Sequence, residues 1–362
     1  MFSIPASGIF STLNESSSIE TIRHLSPLST IGSFLVLTDP KLPRRIHPKS
    51  TYTIYDDDIN HRLSLRLINK AFAKWTIKWV FQRLTFREFV SDIREIKFQN
   101  IRHLLEIAAT HSTKVLDFTG CRNLTDAVAL VGIERAPKIV DLQLTQCKIL
   151  SDAIFRLAVS KLRKLERLFC GNCEKLSGRG LQLCITSKRF PSSRLRELRI
   201  PSLKYMDDTI MNEICKAIGV GLEILDCRST RLGDDTLRCI RRYNPNMKRL
   251  IAGFNDFTDE GIIEMNDSHV TRYPMLSLVE LDVSNSFGVG DYGVLSICSS
   301  YANTLENLII SNLDDRFSVR CLHTVTQTLV KLKLLDLRFC SLIRPSTIKS
   351  LIYIQDVPPE IM

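Results

Sequence analysis

The sequence predicts an α/β solenoid: about ten strand-turn-helix repeats stacked side by side behind a small N-terminal helical module. Three observations predict it. A frame of apolar residues at relative positions 1, 4 and 6, closed most characteristically by Cys or Asn at position 9, returns throughout residues 91–354. A signature of an apolar residue, then Thr, Ser or Gly, then Asp follows the frame in many copies. Only 15 Gly and 13 Pro in 362 residues leave few places where linkers could cut the chain into separate domains.

The frame is plainest in Ile139, Leu142, Leu144 and Cys147, and in Leu165, Leu168, Cys170 and Cys173. It continues as Leu195, Leu198, Ile200 and Leu203, then Leu222, Leu225, Cys227 and Thr230, then Met247, Leu250, Ala252 and Asn255. Leu278, Leu281, Val283 and Ser286 follow, then Leu305, Leu308, Ile310 and Leu313, and Leu332, Leu335, Leu337 and Cys340 close the array. Upstream, Leu116, Phe118 and Cys121 make a further copy, and Ile93, Ile96, Phe98 and Ile101 are expected to be the first. From Cys121 to Cys340 position 9 recurs every 25 to 31 residues, close to the roughly 20–29 of a leucine-rich repeat. Positions 4 and 6 alternate as a short strand does, sending two apolar side chains inward, and position 9 turns the chain away.

The second signature appears as Leu124-Thr125-Asp126, Leu150-Ser151-Asp152, Leu232-Gly233-Asp234, Phe257-Thr258-Asp259 and Val289-Gly290-Asp291. Thr, Ser or Asp before an apolar-periodic run is a helix N-cap, so each repeat reads strand, turn, helix. No repeat buries its apolar face alone, and stacking places strands on the concave side and helices on the convex side.

This combination of Cys and Leu-Thr-Asp resembles the cysteine-containing leucine-rich repeat of F-box substrate receptors and of the antagonist-of-mitotic-exit family, over Ile93 to Ile354. The segment in front resembles a degenerate F-box. Residues 1–24 read as disordered, residues 25–90 as an F-box-like or helical capping module, and residues 355–362 as a C-terminal tail. Leu25, Pro27, Leu28, Ile31 and Leu35 match the opening helix of an F-box, and Leu65, Ile68, Phe72, Trp75 and Trp79 its later apolar and aromatic positions. The resemblance implies that these residues dock on a Skp-type adaptor and, through it, on a cullin. About 22 residues, Asp39 to Asn60, interrupt the match. Two other readings of the segment stand beside it. It can be a plain cap over the open end of the solenoid, and the stripe Arg62, Arg66, Lys70, Lys74 and Lys78 can serve nucleic acid or a membrane surface, although five cations on one helical face are more often solvated.

Composition sets the wider class. An apolar fraction of 44% and a charged fraction of 24% are those of a soluble globular chain. The longest apolar runs, such as Phe34 to Leu37, fall far short of a membrane span. Eleven cysteines with no basic residue before Arg23 suggest reduced thiols and a cytoplasmic or nuclear location. Formal charge is +10, of which +5 lies before residue 91.

No catalytic constellation, cofactor or metal is expected. Gly288-Val289-Gly290-Asp291-Tyr292-Gly293 fits the dinucleotide pattern G-x-G-x-x-G, but the repeat register accounts for it and a solenoid has no β-α-β crevice. Cys170-Gly171-Asn172-Cys173 has the C-x-x-C spacing without a second pair, and register makes both thiols buried. Asp56-Asp57-Asp58 reads as a solvated run.

Positions 3, 5, 7 and 8 should face a partner across the concave surface. They supply Arg167, Phe169, Glu197, Arg199, Asp226, Arg228, Arg249, Phe254, Asp336, Arg338 and Phe339. Arg and Phe are the residue types that dominate interface hot spots. The function expected is a protein-binding scaffold and not an enzyme. As the resemblance implies, it would be the substrate receptor of a cullin-type, SCF-like ubiquitin ligase, presenting an unidentified target protein for proteasomal degradation. The alternative is a ligase-independent scaffold or inhibitor, monomeric outside its complex, with nucleic acid as the weaker third reading.

Overall fold

The computed structural model describes residues 83–85, 101–102, 105–106, 109–267, 277–344, 346–347 and 360–361. Among the described residues eleven strands form one sheet in sequence order, every neighbouring pair parallel. They are β1 (Arg83–Thr85), β2 (Val115–Asp117), β3 (Asp141–Gln143), β4 (Arg167–Phe169), β5 (Glu197–Arg199), β6 (Ile224–Asp226), β7 (Arg249–Ile251), β8 (Glu280–Asp282), β9 (Asn307–Ile309), β10 (Leu334–Asp336) and β11 (Glu360–Ile361). Parallel neighbours cannot be joined by a hairpin. From β2 to β10 the crossovers are helical: α1 (Asp126–Arg135), α2 (Ala153–Ala158), α3 (Gly178–Ile185), α4 (Asp208–Ile218), α5 (Asp234–Tyr243), α6 (Asp259–Met265), α7 (Asp291–Tyr301) and α8 (Val319–Thr328). This is a leucine-rich-repeat solenoid.

Register is carried by the position-4 residue. Leu84, Leu116, Leu142, Leu168, Leu198, Leu225, Leu250, Leu281, Leu308 and Leu335 oppose one another in an unbroken ladder that ends on Ile361. All ten leucines are buried, as are the position-6 residues from Phe118 to Leu337. A slip of one residue anywhere would turn a whole strand inside out.

At Cys147, Cys173, Cys340 and Asn255, position 9 closes the turn through a side-chain hydrogen bond to the backbone. The Cys147, Cys173 and Cys340 thiols donate to the position-6 carbonyls of the preceding repeats, Phe118, Leu144 and Ile310, at 3.1–3.3 Å. Asn255 does more: its amide nitrogen donates to the Cys227 and Ala252 carbonyls, both at 2.9 Å, and its oxygen accepts from the Leu232 N–H at 2.9 Å.

The signature Asp has a second role beside the caps. Thr125, Ser177, Thr258 and Ser318 cap α1, α3, α6 and α8. The Asp at the start of one repeat's helix reaches forward to the cap of the next. Asp126, Asp152, Asp234 and Asp291 each accept the backbone N–H (2.8–3.0 Å) and the hydroxyl (2.6–2.7 Å) of Ser151, Ser177, Thr258 and Ser318 respectively. Helix starts are therefore cross-linked from repeat to repeat.

Both ends of the array differ from expectation. The first strand among the described residues is Arg83–Thr85, ahead of the Ile93 frame and inside the segment read as a separate module, while Ile101 lies in a helical turn and not at a strand-closing position. The frame also fits Phe81, Leu84, Phe86 and Phe89, with Leu84 at the position that pairs with Leu116. At the other end residues 360–361, read as tail, supply β11, which pairs with the outer edge of β10. Ile93, Ile96 and Phe98 lie outside the described residues, as do Leu25, Pro27, Leu28, Ile31, Leu35, Leu65, Ile68, Phe72, Trp75 and Trp79.

Candidate functional site

Odd-numbered positions 3, 5 and 7 alternate with the buried ladder and so share the concave face. The arginines placed there do not project singly. Arg167 Nε donates to Asp141 Oδ2 at 3.1 Å, and Arg199 Nε to Glu197 Oε1 at 2.5 Å. Arg249 bonds Glu280 Oε2, with Nε at 2.6 Å. Arg228 grips Asp226 with two nitrogens, at 3.0 and 2.8 Å, and Arg338 grips Asp336 the same way, at 2.9 and 2.5 Å. Such forked pairs hold a guanidinium plane in one orientation. The Arg199 guanidinium also lies over the Phe169 ring, 5.1 Å from its centroid, a cation–π contact.

Asp226 was expected to meet a partner, and the structure assigns it elsewhere. Only 2% of it is exposed, and its Oδ1 also accepts the backbone N–H of Arg228. Side chains two apart in a strand point the same way, so Asp226 lies beneath Arg228 and orients it. Asp336 does the same for Arg338, and Glu197 is buried beneath Arg199. The exposed surface is thus the guanidinium, with its carboxylate underneath.

Electrostatics follow this layering. Burial pushes the Asp141 and Asp282 carboxyls above the ordinary carboxylate range, against the pull of Arg167 on the first and of the Ser284 hydrogen bonds on the second. Burial acts upward on Asp336 as well, but the Arg338 hydrogen bonds outweigh it and its net shift is down. The Arg228 guanidinium is held above its usual value, chiefly by the Asp226 hydrogen bond.

Position 8 contributes what the sequence could not show. Gly120, Gln146, Asn172, Ser202, Ser229, Phe254, Asn285, Asn312 and Phe339 all have φ between 54° and 80°. The reason is the next repeat: Phe254 N–H donates to the Ser284 carbonyl at 2.7 Å, Gln146 N–H to Gly171 and Ser229 N–H to Gly253, so the left-handed turn carries the inter-repeat ladder past the strand end. Gly and Asn suit that conformation, whereas a bulky side chain there is an outlier. Phe254 and Phe339 hold it nonetheless, with 57% and 81% of their surface exposed. Along the same turn edge Tyr205 and Phe287 are also exposed, and a sequence reading confined to positions 3, 5, 7 and 8 missed both.

The motifs set aside as chemistry have structural partners. In the Gly288–Gly293 segment the N–H groups of Gly290 and Gly293, which a phosphate would need, both donate to Asp259 Oδ1 at 2.7 Å. Cys170 and Cys173 are buried, and burial pushes the Cys173 thiol up to about 11. Among the described residues no group of three or more His, Cys, Asp or Glu is placed to hold a metal ion, and no helix is long and apolar enough to cross a membrane.

No protein-family model matches the chain, and no curated protein matches it. Among solved structures, it is similar to a chain from the crystal structure of the Rad7 and Elc1 complex in yeast, at 15% identity and a TM-score of 0.46, over 80% of this chain and 89% of that one.

Proposed function

We propose that this chain is a protein-binding scaffold, not an enzyme, and that it receives a protein partner on the concave face of its repeats. One observation carries the reading. Phe254 and Phe339 stand exposed in a backbone conformation that disfavours them, while carboxylates buried beneath Arg199, Arg228 and Arg338 fix these guanidinium groups toward solvent. Rigid aromatic and arginine side chains held in place before binding lose little freedom on contact, which is what interface hot spots use.

The test must spare the arginines, because removing Arg228 would leave Asp226 buried without its counter-charge and confuse folding with binding. The variant is Phe169→Ala, Phe254→Ala and Phe339→Ala in the full chain. Proteins retained from an extract by the native chain should be lost by the variant, while its unfolding midpoint stays within a few degrees. Retention of the same proteins by a folded variant would move the binding surface elsewhere.

A finer reading makes the partner a target for ubiquitination and the chain a substrate receptor of a cullin-type ligase. It rests on the F-box resemblance of Leu25 to Trp79 and carries with it a cytoplasmic or nuclear location. The full chain should then retain a purified Skp-type adaptor, and Trp75→Ala with Trp79→Ala should release it. An adaptor that never binds the native chain would leave the ligase-independent scaffold.

A further inference from the structure

A second surface, on a different face, is marked by charge. With all strands parallel, every loop that returns from a helix to the next strand lies at one edge of the solenoid. In the loops of residues 136–140, 159–166 and 186–196 that edge is crowded with exposed cations, among them Lys138, Arg163, Lys164, Lys188, Arg189 and Arg194. The carboxylates of this edge are Glu134, which holds Lys161 at 3.6 Å, and Glu166; Asp141 and Glu197, next to the loops in the chain, are buried and paired with Arg167 and Arg199. Arg163, Lys188 and Arg189 line a cleft of about 530 Å³ with Ser160, Phe190 and Pro191, and no acidic residue lines it.

The same edge further along the array is different. There Lys248 is paired with Glu223 at 2.7 Å and Lys333 with Glu306 at 2.8 Å, each across neighbouring repeats. Solubility and helix dipoles act equally on both halves, and the dipole reaches only a turn past a helix end. Neither accounts for cations that, among the described residues, gather without carboxylate partners, Lys161 excepted, in one half and are paired at Lys248 and Lys333, with Lys331 alone exposed beside them, in the other.

We infer that this basic edge binds the phosphate backbone of nucleic acid without reading its sequence. An acidic polypeptide is the competing polyanion, but protein interfaces are anchored by apolar side chains, and the apolar lining here offers none: Phe190 is buried and Pro191 half-buried. Phosphate contacts need no such anchor. Successive repeats lie about 5 Å apart at the strands and about 10 Å apart at the helices, so three consecutive loops present a row of charge to a ligand whose charge is also evenly spaced.

The experiment is fluorescence anisotropy of the full chain with a labelled duplex DNA of about one to two helical turns at about 50 and 200 mM salt. With about six phosphates engaged, affinity should fall about a thousandfold between these salts. Arg163→Glu, Lys164→Glu, Lys188→Glu and Arg189→Glu together should weaken binding at least tenfold at the lower salt and flatten the salt dependence. The corresponding Gln variants should fall between, and Lys248→Gln with Lys333→Gln should change nothing. Circular dichroism checks that each variant is folded. Three results would overturn the inference: no binding by the native chain, binding indifferent to the four substitutions, or polyglutamate competing as well as unlabelled duplex.

Discussion

At the scale of single residues, position 8 separates the demands of the backbone from those of binding. A left-handed conformation costs an L-residue about 1–2 kcal/mol, and Phe254 and Phe339 both adopt it. Replacing each with Gly removes that strain but gives the unfolded chain about 0.5–1 kcal/mol of extra freedom. The Phe254→Gly, Phe339→Gly variant should therefore unfold in denaturant within about 1 kcal/mol of the native chain while losing the concave-face partner. A much larger loss of stability would show that the rings are packed and structural. Which arginines line the concave face was legible from alternation alone, since Arg167, Arg199, Arg228, Arg249 and Arg338 fall where position counting put them. Asp226 was not, because counting gives a face and not a depth. A carboxylate two residues before an arginine on one face is the signal that it lies beneath, and Asp226-Cys227-Arg228 and Asp336-Leu337-Arg338 both carry it.

Helix starts show the same limit at the next scale. Leu-Thr-Asp announced a cap in the sequence, and Thr125 and Thr258 are caps. The forward reach of the Asp was hidden because its partners lie one repeat on, as Asp234 and Thr258 do. It has a steric consequence: a side chain in place of Gly261 would collide with the Asp234 carboxylate, and one in place of Gly180 with Asp152. Gly261→Ala should thus destabilise the native chain, and Asp234→Ala should cost about 1–3 kcal/mol through the unmet Thr258 N–H. Combined, the two should cost less than their sum by about 1 kcal/mol or more, since the second removes what the first strikes. Additive values in a double-mutant cycle would mean that the two residues do not meet.

For the whole molecule, the repeated frame left no freedom in the fold between β2 and β10, because each strand is held in register by buried leucines on both sides. The ends were less legible, since among the described residues each terminal strand has one neighbour and tolerates a weaker match to the frame. Among the described residues β11 is what covers the outer side of β10. Exposed strand edges invite pairing with other chains, so deleting Gln355 to Met362 should make the chain self-associate. Sedimentation should then show a mass that rises with concentration toward that of a dimer. A truncated chain that stays monomeric would assign the protection of that edge to other residues.

The Asp-to-cap hydrogen bonds also give the array an arrow. The helix starts at Ser151, Ser177, Gly233, Thr258, Gly290 and Ser318 each depend on a carboxylate that precedes them in the chain, as Ser151 depends on Asp126 and Ser318 on Asp291. During synthesis, which runs from the N terminus, a repeat leaving the ribosome meets its acceptor already in place on the repeat before it. Erosion from the front would strip the acceptor from the next helix in line, whereas erosion from the back leaves every remaining cap complete.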